Sequence, residues 1–385
     1  MKNILDNPGL KASPEWEEAT AEANIANPLL QNNSILKQIL DFGRWAPSGD
    51  NMQPWRFKLI DENHFDILAS DTRDHCVYDL QGNASQLSIG MLIENMVIGA
   101  ASLDKTLDYE LDPDSTDEHP VIHVKIASTQ PENNHAHLAD SIILRTVNRR
   151  PLSKEKITDE HKQKIEEAAS PLKIKWFEGK EIKKTTRLFF DAAGIRLSIA
   201  EAFPTHASIM EWNKPYSRDK MPVGSLGMSA MGTKMMKACL KDWRIVNFLN
   251  TFMAGTYLPR LELDVLPGLS SGAHFILIDD KVNESVSDFI EAGRLVQRFW
   301  IRLTSLGIQL QPQMTPLIFA NYHRQSINFT SNKKQLKATE KLANKYKELI
   351  DGEDCGKTVF VGRIGYGDIA DYRSTRLDLK DLLVE

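Results

Sequence analysis

Two stretches of the chain carry apolar residues on most faces of a helix, and each begins at a glycine. The first starts at Gly90 and the second at Gly293, and in a common register Ile98 lies opposite Ile301. A helix that is apolar all round is typically buried. The pattern therefore predicts two long core helices.

Short apolar runs flank each of these helices in the same order. Runs at residues 57–61 and 275–279 precede the helices, and runs at residues 121–126 and 359–364 follow them. Such runs are typical of strands. Strand, helix and strand in the same order twice indicate an internal repeat. We interpret the chain as two copies of one α+β unit, with mixed sheets flanked by helices.

The repeat sets the expected domain organisation. The first copy is expected over residues 30–130 and the second over residues 140–385, with an insertion at about residues 204–265. The insertion is rich in methionine and aromatic residues, and three methionines fall on one helical face: Met228, Met231 and Met235. It is interpreted either as a hydrophobic helix packed on the body or as a lid over a ligand. Three glycines would be the hinges of such a lid: Gly224, Gly227 and Gly232.

The corner between the first predicted helix and the first strand carries distinctive polar chemistry. It reads Ala46-Pro47-Ser48-Gly49-Asp50-Asn51-Met52-Gln53-Pro54-Trp55. The helix is predicted to end at Ala46. The backbone allows close approach at Gly49, and the amides of Asn51 and Gln53 can recognise the carbonyls and nitrogens of a flat heteroaromatic ligand. The alternative is an ordinary helix–strand loop, since amide-rich turns are common.

This run resembles the flavin-contacting loop of the FMN-dependent nitroreductase family, which commonly reads Ala-Pro-Ser-x-x-Asn-x-Gln-Pro-Trp. The resemblance implies a nitroreductase-like fold and a noncovalently bound FMN. It places four residues of the run at the isoalloxazine ring: Ser48, Gly49, Asn51 and Gln53.

A basic run opens the second copy, at residues 145–151. It resembles the Arg-Arg-Ser-x-Arg opening that holds the FMN phosphate in this family, and more closely the opening of the second half in a tandem, fused subfamily. The candidates are Arg145, Asn148, Arg149 and Arg150. Val147 resembles an extra residue, so the roles of the arginines stay open. Guanidinium groups suit phosphate because they are forked, permanently charged donors; the alternative is a solvated basic stretch at a helix start.

The resemblance also implies how the copies cooperate. Family members are homodimers in which each FMN site takes its arginines from one subunit and its loop from the other. Here the first copy keeps the loop and the second keeps the arginines, while the corner expected opposite the loop, residues 264–271, lacks both amides. We therefore expect an intrachain pseudo-dimer with one composite site, an empty mirror site, and a monomer or weak dimer in solution.

Two later segments extend the expected site. In the family, a loop after the second long helix lies over the flavin and brings a backbone N–H towards N5, which points to Pro312, Gln313 and Met314. The run at residues 374–377 resembles a late phosphate contact, so Arg376 is a further phosphate candidate. Ordinary loop chemistry is the alternative for both segments.

Composition narrows the class of protein. The chain has 385 residues, a net charge of −5 and a pI of about 6.1, which argues against nucleic acid as a partner. Its three cysteines are scattered, which favours a reducing compartment and gives no metal-ligand spacing. No apolar run was expected to reach the roughly 18 residues that a membrane span needs. These features predict a cytoplasmic protein without a membrane partner.

The resemblance implies an FMN-binding oxidoreductase that takes two electrons from NAD(P)H and reduces a small organic acceptor such as a nitroaromatic or a quinone. Two alternatives stay open: a flavin-sequestering or storage protein with little turnover, and a specialised flavin dehalogenase or oxidase. The residues choose neither the acceptor nor between NADH and NADPH.

Overall fold

The structure is a computed structural model that describes residues 14–21, 25, 27–128 and 135–384. Residues 129–134, at the predicted boundary between the two copies, lie outside the described residues. The strands are β1 (Trp55–Leu59), β2 (His64–Ala69), β3 (Thr106–Leu111), β4 (Val121–Ala127), β5 (Lys173–Phe177), β6 (Met210–Glu211), β7 (Tyr216–Ser217), β8 (Met221–Pro222), β9 (Ala273–Ile278), β10 (Ile308–Pro312), β11 (Thr358–Tyr366), β12 (Arg373–Ser374) and β13 (Leu383–Val384).

The α-helices are α1 (Pro14–Thr20), α2 (Ile35–Arg44), α3 (Asn83–Ala101), α4 (Asp140–Leu144), α5 (Asp159–Ala169), α6 (Ile182–Arg196), α7 (Phe203–Ser208), α8 (Ala230–Cys239), α9 (Trp243–Phe252), α10 (Tyr257–Arg260), α11 (Leu266–Leu269), α12 (Val286–Ser305), α13 (Thr315–Arg324), α14 (Lys333–Leu349) and α15 (Leu379–Leu382). A π-helical turn, Leu261–Val265, joins α10 to α11.

Two sheets form the body, and they share one topology. The first has the order β13-β1-β2-β4-β3 and the second has the order β10-β11-β9-β5. The neighbours β1-β2-β4-β3 in the first sheet correspond to β5-β9-β11-β10 in the second, and all these neighbours run antiparallel. In both sheets a long helix joins the second of these strands in the chain to the third. The α+β class is confirmed. Only the first sheet is mixed, because β13 adds to β1 in parallel.

The topology corrects the predicted pairing of strands between the two expected copies. By position in its sheet, β9 corresponds to β2, and β5 corresponds to β1. The prediction that residues 275–279 match residues 57–61 is therefore wrong by one strand, since residues 275–279 match β2 rather than β1. Its cause is the insertion, which separates β5 from β9 and hides the first strand of the second unit. The corner that corresponds to the loop before β1 is then residues 169–172, between α5 and β5, rather than residues 264–271.

The two long helices, α3 and α12, cross in close contact at their glycines. A Cβ atom on Gly90 would lie 1.9 Å from the carbonyl oxygen of Ile290, and one on Gly293 would lie 2.1 Å from the carbonyl oxygen of Leu87. When Gly90 is aligned with Gly293, Leu87 is aligned with Ile290. The two contacts are therefore equivalent, because each glycine meets the carbonyl three residues before the glycine of the other helix. Only glycine permits backbones to approach this closely.

The polar contacts beside the crossing are related by the same alignment, which pairs Glu94 with Gln297 and Asn95 with Arg298. Gln297 Nε2 donates to Asn95 Oδ1 at 2.6 Å, and Arg298 Nε donates to Glu94 Oε1 at 2.7 Å. Glu94 is fully buried, and Arg294 also donates to it. A buried carboxylate is tolerated when its charge and its lone pairs are matched, so this network fixes the relative position of the two helices.

The helix α3 is also, in the part of the chain that the structure describes, long and apolar enough to cross a membrane by length and composition. This amends the expectation that no run reaches that length. Within the protein, 89% of its most apolar window is buried. The helix lies in a core that α2, α12 and the first sheet complete.

We predict that Gly90→Ala and Gly293→Ala each lower the free energy of unfolding by about 1–3 kcal/mol or more, because a methyl group at the crossing forces the helices apart. Urea unfolding followed by circular dichroism measures the change. Gly367→Ala is the control, because its Cβ would meet its nearest neighbour at 3.4 Å. Equal stability of Gly90→Ala and the control would contradict the close crossing.

Candidate functional site

The loop between α2 and β1 has a strained backbone. Helix α2 ends at Arg44, two residues before the predicted end. Within the loop, Asp50, Asn51 and Gln53 have positive φ angles of 52°, 65° and 51°. Left-handed conformations are uncommon for residues other than glycine, and they cluster at sites where a ligand or a catalytic group must be placed.

The two amides of the loop have different roles. Gln53 Nε2 donates to the carbonyls of Asn51 and Arg218, and its Oε1 accepts from the Leu377 N–H at 2.9 Å. Its hydrogen-bonding atoms are thus engaged within the protein, contrary to the predicted contact with a ring. Asn51 Nδ2 donates to the Arg218 carbonyl at 3.0 Å, whereas its buried Oδ1 has no hydrogen-bond partner among the described residues. Asn51 Oδ1 can therefore accept from a ligand.

Ser48 and Gly49 complete the loop. Ser48 Oγ accepts from the Gln53 N–H at 2.9 Å and so supports the turn. A Cβ atom on Gly49 would have no atom of the described residues within 4 Å. Gly49 is therefore free of protein crowding, and its side of the loop faces the cavity described below.

Three buried arginines lie across a narrow cleft from this loop. Arg145 donates to the Trp45 carbonyl, Arg373 to the Ile143 carbonyl and Arg376 to the Ala46 carbonyl, so these bonds end on neutral acceptors. Arg145 Nε and two nitrogens of Arg373, Nε and Nη1, are buried without a hydrogen-bond partner in the described part of the chain. The cleft has a volume of about 70 Å³, and Arg149 also lines it.

The electrostatics of the cleft follow from this burial. Burial, with the charges of Arg376 and Arg373 as lesser causes, holds the pKa of Arg145 well below its usual range. Burial lowers the pKa of Arg373 to about 10 and that of Arg376 to about 9. Guanidinium groups that are buried together and bonded to carbonyls favour an anion between them.

Aromatic faces hold two of these cations. The guanidinium carbon of Arg145 lies 4.6 Å from the centre of the Trp300 ring, and that of Arg373 lies 5.1 Å from the Trp16 ring. Such contacts stabilise a desolvated cation and leave its edge nitrogens free for an acceptor. The cleft is therefore preorganised for an anionic group.

Asp50 and Arg149 lie where the cleft meets a larger space. Both residues and Met221 line the cleft and also line a cavity of about 770 Å³. Burial raises the pKa of Asp50 and lowers that of Arg149 to about 10, while each charge opposes the shift of the other. The two spaces therefore adjoin at two residues of opposite charge.

The cavity is large and mostly apolar. Its volume falls in the range of small-molecule sites. Its walls come from the loop, from α6 and α7, from the insertion and from the segment after β10. Apolar residues that line it include Met52, Phe189, Leu197, Ile199, Phe203, Met210, Leu226, Leu240, Trp243, Leu249 and Ile318.

The segment after β10, which was expected to lie over a flavin, lies at the cavity. Pro312, Gln313 and Met314 all line it. The Gln313 N–H donates to the Val361 carbonyl at 2.8 Å, so that N–H is engaged within the protein. Of the two residues predicted to present an N–H to a ring, this leaves Met314, which immediately precedes α13.

The arginine run that opens the second half is only partly assembled at the site. Arg145 and Arg149 line the cleft, whereas the side chain of Arg150 is exposed. Asn148 shapes the turn, because its Oδ1 accepts from the Arg150 N–H and its Nδ2 donates to the Asp368 carbonyl. Arg376 lies in the cleft, and Arg373 joins it without having been singled out in the sequence.

Three polar residues of the cavity were missed by the sequence analysis. Tyr78 Oη lies 2.9 Å from His206 Nε2, and burial lowers the pKa of His206 to about 3, so the imidazole is neutral. Arg196 also lines the cavity, with its Nε buried and without a partner among the described residues. No local motif marks these residues, because Tyr78 and His206 meet only through the fold.

The insertion covers the cavity, and two of the three methionines of the predicted stripe line it. Six methionines of the insertion line the cavity: Met210, Met221, Met228, Met235, Met236 and Met253. Met231, from the same predicted stripe, is 72% exposed. Among the predicted hinges, only Gly227 has a left-handed φ; Gly224 packs against Tyr372 and Gly232 against Glu262.

Two comparisons with known proteins found a similarity. Residues 32–80 match the sequence pattern of the Nitroreductase family, and this stretch contains the whole loop. The crystal structure of the FMN-dependent nitroreductase NfnB from Mycobacterium smegmatis in complex with NADPH is similar over 64% of this chain and 96% of that chain, at 14% sequence identity and a TM-score of 0.35. No curated protein matches the chain.

We predict that inorganic pyrophosphate raises the melting temperature by several degrees, since an anion that binds only the folded state stabilises it by mass action. Differential scanning fluorimetry measures the shift against sodium chloride at equal ionic strength. Arg373→Gln is expected to reduce the shift, and Arg150→Gln, at an exposed position, is expected to keep it. Equal shifts in both variants would argue against an anion in the cleft.

Proposed function

We propose that the chain binds FMN, with the phosphate in the arginine cleft and the isoalloxazine in the cavity, and that it is an NAD(P)H-dependent oxidoreductase acting on a small organic acceptor. The supporting observation is that a cation-rich cleft adjoins a large apolar cavity, with which it shares Asp50, Arg149 and Met221 as lining residues. FMN has the matching form: an anionic phosphate, a polyol chain and a flat ring.

The residues present fit this group. Arg145, Arg149, Arg373 and Arg376 would hold the phosphate, and the unpartnered Asn51 Oδ1 would accept from an N–H or hydroxyl of the ligand. When bound, FMN supplies two-electron chemistry between a nicotinamide and an acceptor. The chain's own contribution is to bind, to orient and to exclude water.

We further propose that the chain is a fused pseudo-dimer with one composite site. Support comes from the shared strand order and from the crossing contacts that exchange between α3 and α12. The loop belongs to the first half, and Arg145 and Arg149 open the second. The corresponding corner of the second half, residues 169–172, reads Ala-Ser-Pro-Leu and has no amide side chain.

We predict one FMN per chain. Acid extraction and chromatography identify the flavin, and its absorbance against protein concentration gives the ratio. Two flavins per chain would contradict the single composite site, and FAD would contradict the phosphate assignment.

Arg149→Ala is expected to weaken FMN binding about tenfold or more, since a hydrogen bond to a charged group contributes roughly 1.5–3 kcal/mol. Asn51→Ala is expected to weaken it about tenfold, since a buried donor of the ligand left without a partner costs roughly 1–3 kcal/mol. Fluorescence titration of apoprotein measures the affinity. Ser170→Ala and Arg150→Ala are the controls, one at the mirror corner and one just outside the cleft. Wild-type affinity in both site variants would refute the composite site.

The Tyr78–His206 pair gives the cavity a proton donor. Reduction of a carbonyl-type acceptor needs a proton on its oxygen as well as two electrons. When His206 Nε2 carries its hydrogen and donates to Tyr78 Oη, the Tyr78 hydroxyl is free to protonate the acceptor. Burial raises the pKa of Tyr78, and the charge of Arg196 partly opposes that rise. The phenolate left behind would be held by the bond from His206 and by the charge of Arg196 until solvent returns the proton.

We predict that Tyr78→Phe slows oxidation of the reduced enzyme by a quinone about a hundredfold, the usual scale of general-acid catalysis. Flavin reduction by NAD(P)H should change little, because that step needs no proton from Tyr78. Anaerobic stopped-flow absorbance separates the two half-reactions. Tyr372→Phe, at an exposed position, is the control; equal rates in both variants would remove Tyr78 from the mechanism.

A storage protein is the second candidate, and one observation favours it. The insertion is tied over the site at residues 216–222: β7 pairs with β12, and Ser374 Oγ donates to the Lys220 carbonyl at 2.8 Å. A cover held in this way would shield a bound flavin. Anaerobic addition of NADH and NADPH distinguishes the candidates, because a storage protein keeps its flavin oxidised.

A further inference from the structure

The outer surface of the insertion is unusually apolar. On α9, α10 and the turn between them, six large apolar side chains are exposed by between 38% and 73%: Ile245, Phe248, Phe252, Met253, Tyr257 and Leu258. We call these six residues the apolar cap. Phe248 and Phe252 are in contact, with ring centres 5.2 Å apart. Leu261, Leu266 and Leu269, in the segments that follow α10, are also exposed. Only scattered exposed apolar side chains are normal for a soluble surface.

A row of cations borders the cap. Lys234, Lys237 and Lys241 follow one another along α8 and its end at helical spacing, and all three are exposed. Arg244, at the start of α9, has a side chain that is 90% exposed. Residues 230–261 carry a net charge of +4, whereas the whole chain carries −5. The positive charge is therefore concentrated beside the apolar surface.

The cap also forms the outer wall of the cavity. Trp243, Val246 and Leu249 on α9 line the cavity, while Ile245, Phe248 and Phe252 on the same helix are exposed. Met253 and Leu258 belong to both sets. One thin helical layer thus separates the apolar interior from the apolar exterior.

We propose that the apolar cap and its lysine row bind an anionic phospholipid surface, so that the cavity exchanges apolar molecules with the membrane. Exposed aromatic residues beside a basic face are the signature of helices that lie in the membrane interface. The exchange of apolar molecules with the membrane rests on the proposed flavin function, since it makes the acceptor a lipid-soluble molecule. This differs from the expectation that the chain has no membrane partner.

The charge of the surface favours lipid over a second copy of the chain. A two-fold dimer through the cap would bring each lysine row near its own copy, because such an interface uses the same patch on both subunits. An anionic bilayer instead offers opposite charge to the lysines and a hydrocarbon boundary to the phenylalanines. Binding of this kind is peripheral and reversible, and it weakens with salt.

Vesicle sedimentation tests the proposal with the full chain. Vesicles of phosphatidylcholine with 30–40% phosphatidylglycerol, roughly the range in which anionic lipid dominates the surface potential, are expected to carry the protein into the pellet. Pure phosphatidylcholine is expected to carry little. Raising the salt from about 0.05 M to about 0.5 M should release the protein, since the Debye length shortens severalfold.

The chain offers a matched control for the lysine row. Lys334, Lys337 and Lys341 lie on α14 at the same spacing and are also exposed. Replacing Lys234, Lys237 and Lys241 by Gln should lower the partition coefficient about a hundredfold. The same replacement at Lys334, Lys337 and Lys341 removes equal charge and should lower it severalfold at most.

The apolar contacts are tested in the same assay. The double variant Phe248→Ser with Phe252→Ser should lower the partition coefficient at least tenfold, since both rings would leave water on binding. Ile60→Ser, at another exposed apolar position, is the control. Thermal melting checks that each variant is folded, and both phenylalanine changes are at exposed sites.

Three results would overturn the proposal. The first is no binding to anionic vesicles at low salt. The second is equal binding by the α8 and α14 lysine variants. The third is a dimer by light scattering that the phenylalanine variant converts to monomer, which would assign the cap to a second copy. Sedimentation does not depend on flavin, so vesicle binding by a chain that fails to bind FMN in titration would refute the proposed function and leave the docking surface standing.

Discussion

The close crossing of α3 and α12 is the constraint on which the rest of the structure depends. Because Gly90 and Gly293 allow the two backbones to touch, the sheets that carry these helices are held at one distance and one angle. The loop before β1 and the arginines that follow α4 are then brought together, although about a hundred residues separate them. The hydrogen bond from Arg145 to the Trp45 carbonyl marks that junction.

The cleft formed at this junction has an electrostatic imbalance. Buried cations are normally matched by carboxylates, yet Arg145, Arg373 and Arg376 bond to backbone carbonyls and two of them stack on tryptophans. Carbonyls and aromatic faces position a guanidinium without neutralising it. The arrangement keeps positive charge available, which is useful to a protein only if an anion arrives. This is why the cleft supports a phosphate site better than a purely structural role.

Local sequence patterns predicted much of the fold and of the candidate site. The features that depend on contacts between distant residues could be recognised only in the structure. The long helices, their aligned glycines and the polar loop were readable because each is contiguous in the sequence. The first strand of the second unit was misplaced because the insertion separates β5 from β9. Gln53 was assigned to a ring, whereas its amide is engaged by Arg218 and Leu377, which lie far away along the chain. Tyr78 and His206 were invisible for the same reason.

The insertion has a part that is fixed to the body and a part that covers the cavity as a single layer of helix. Residues 216–222 are fixed by the loop and by β12, which keeps the cleft closed around its arginines. Beyond them, α8 to α10 enclose an apolar cavity with a single layer of helix, and a layer with an apolar inner face normally presents a polar outer face to water. Here α9 carries large apolar residues on its outer face as well as its inner face, beside Arg244, and three exposed lysines lie along α8 and its end. A lipid surface would cover the exposed apolar residues of the outer face, whereas water would leave them unfavourably solvated.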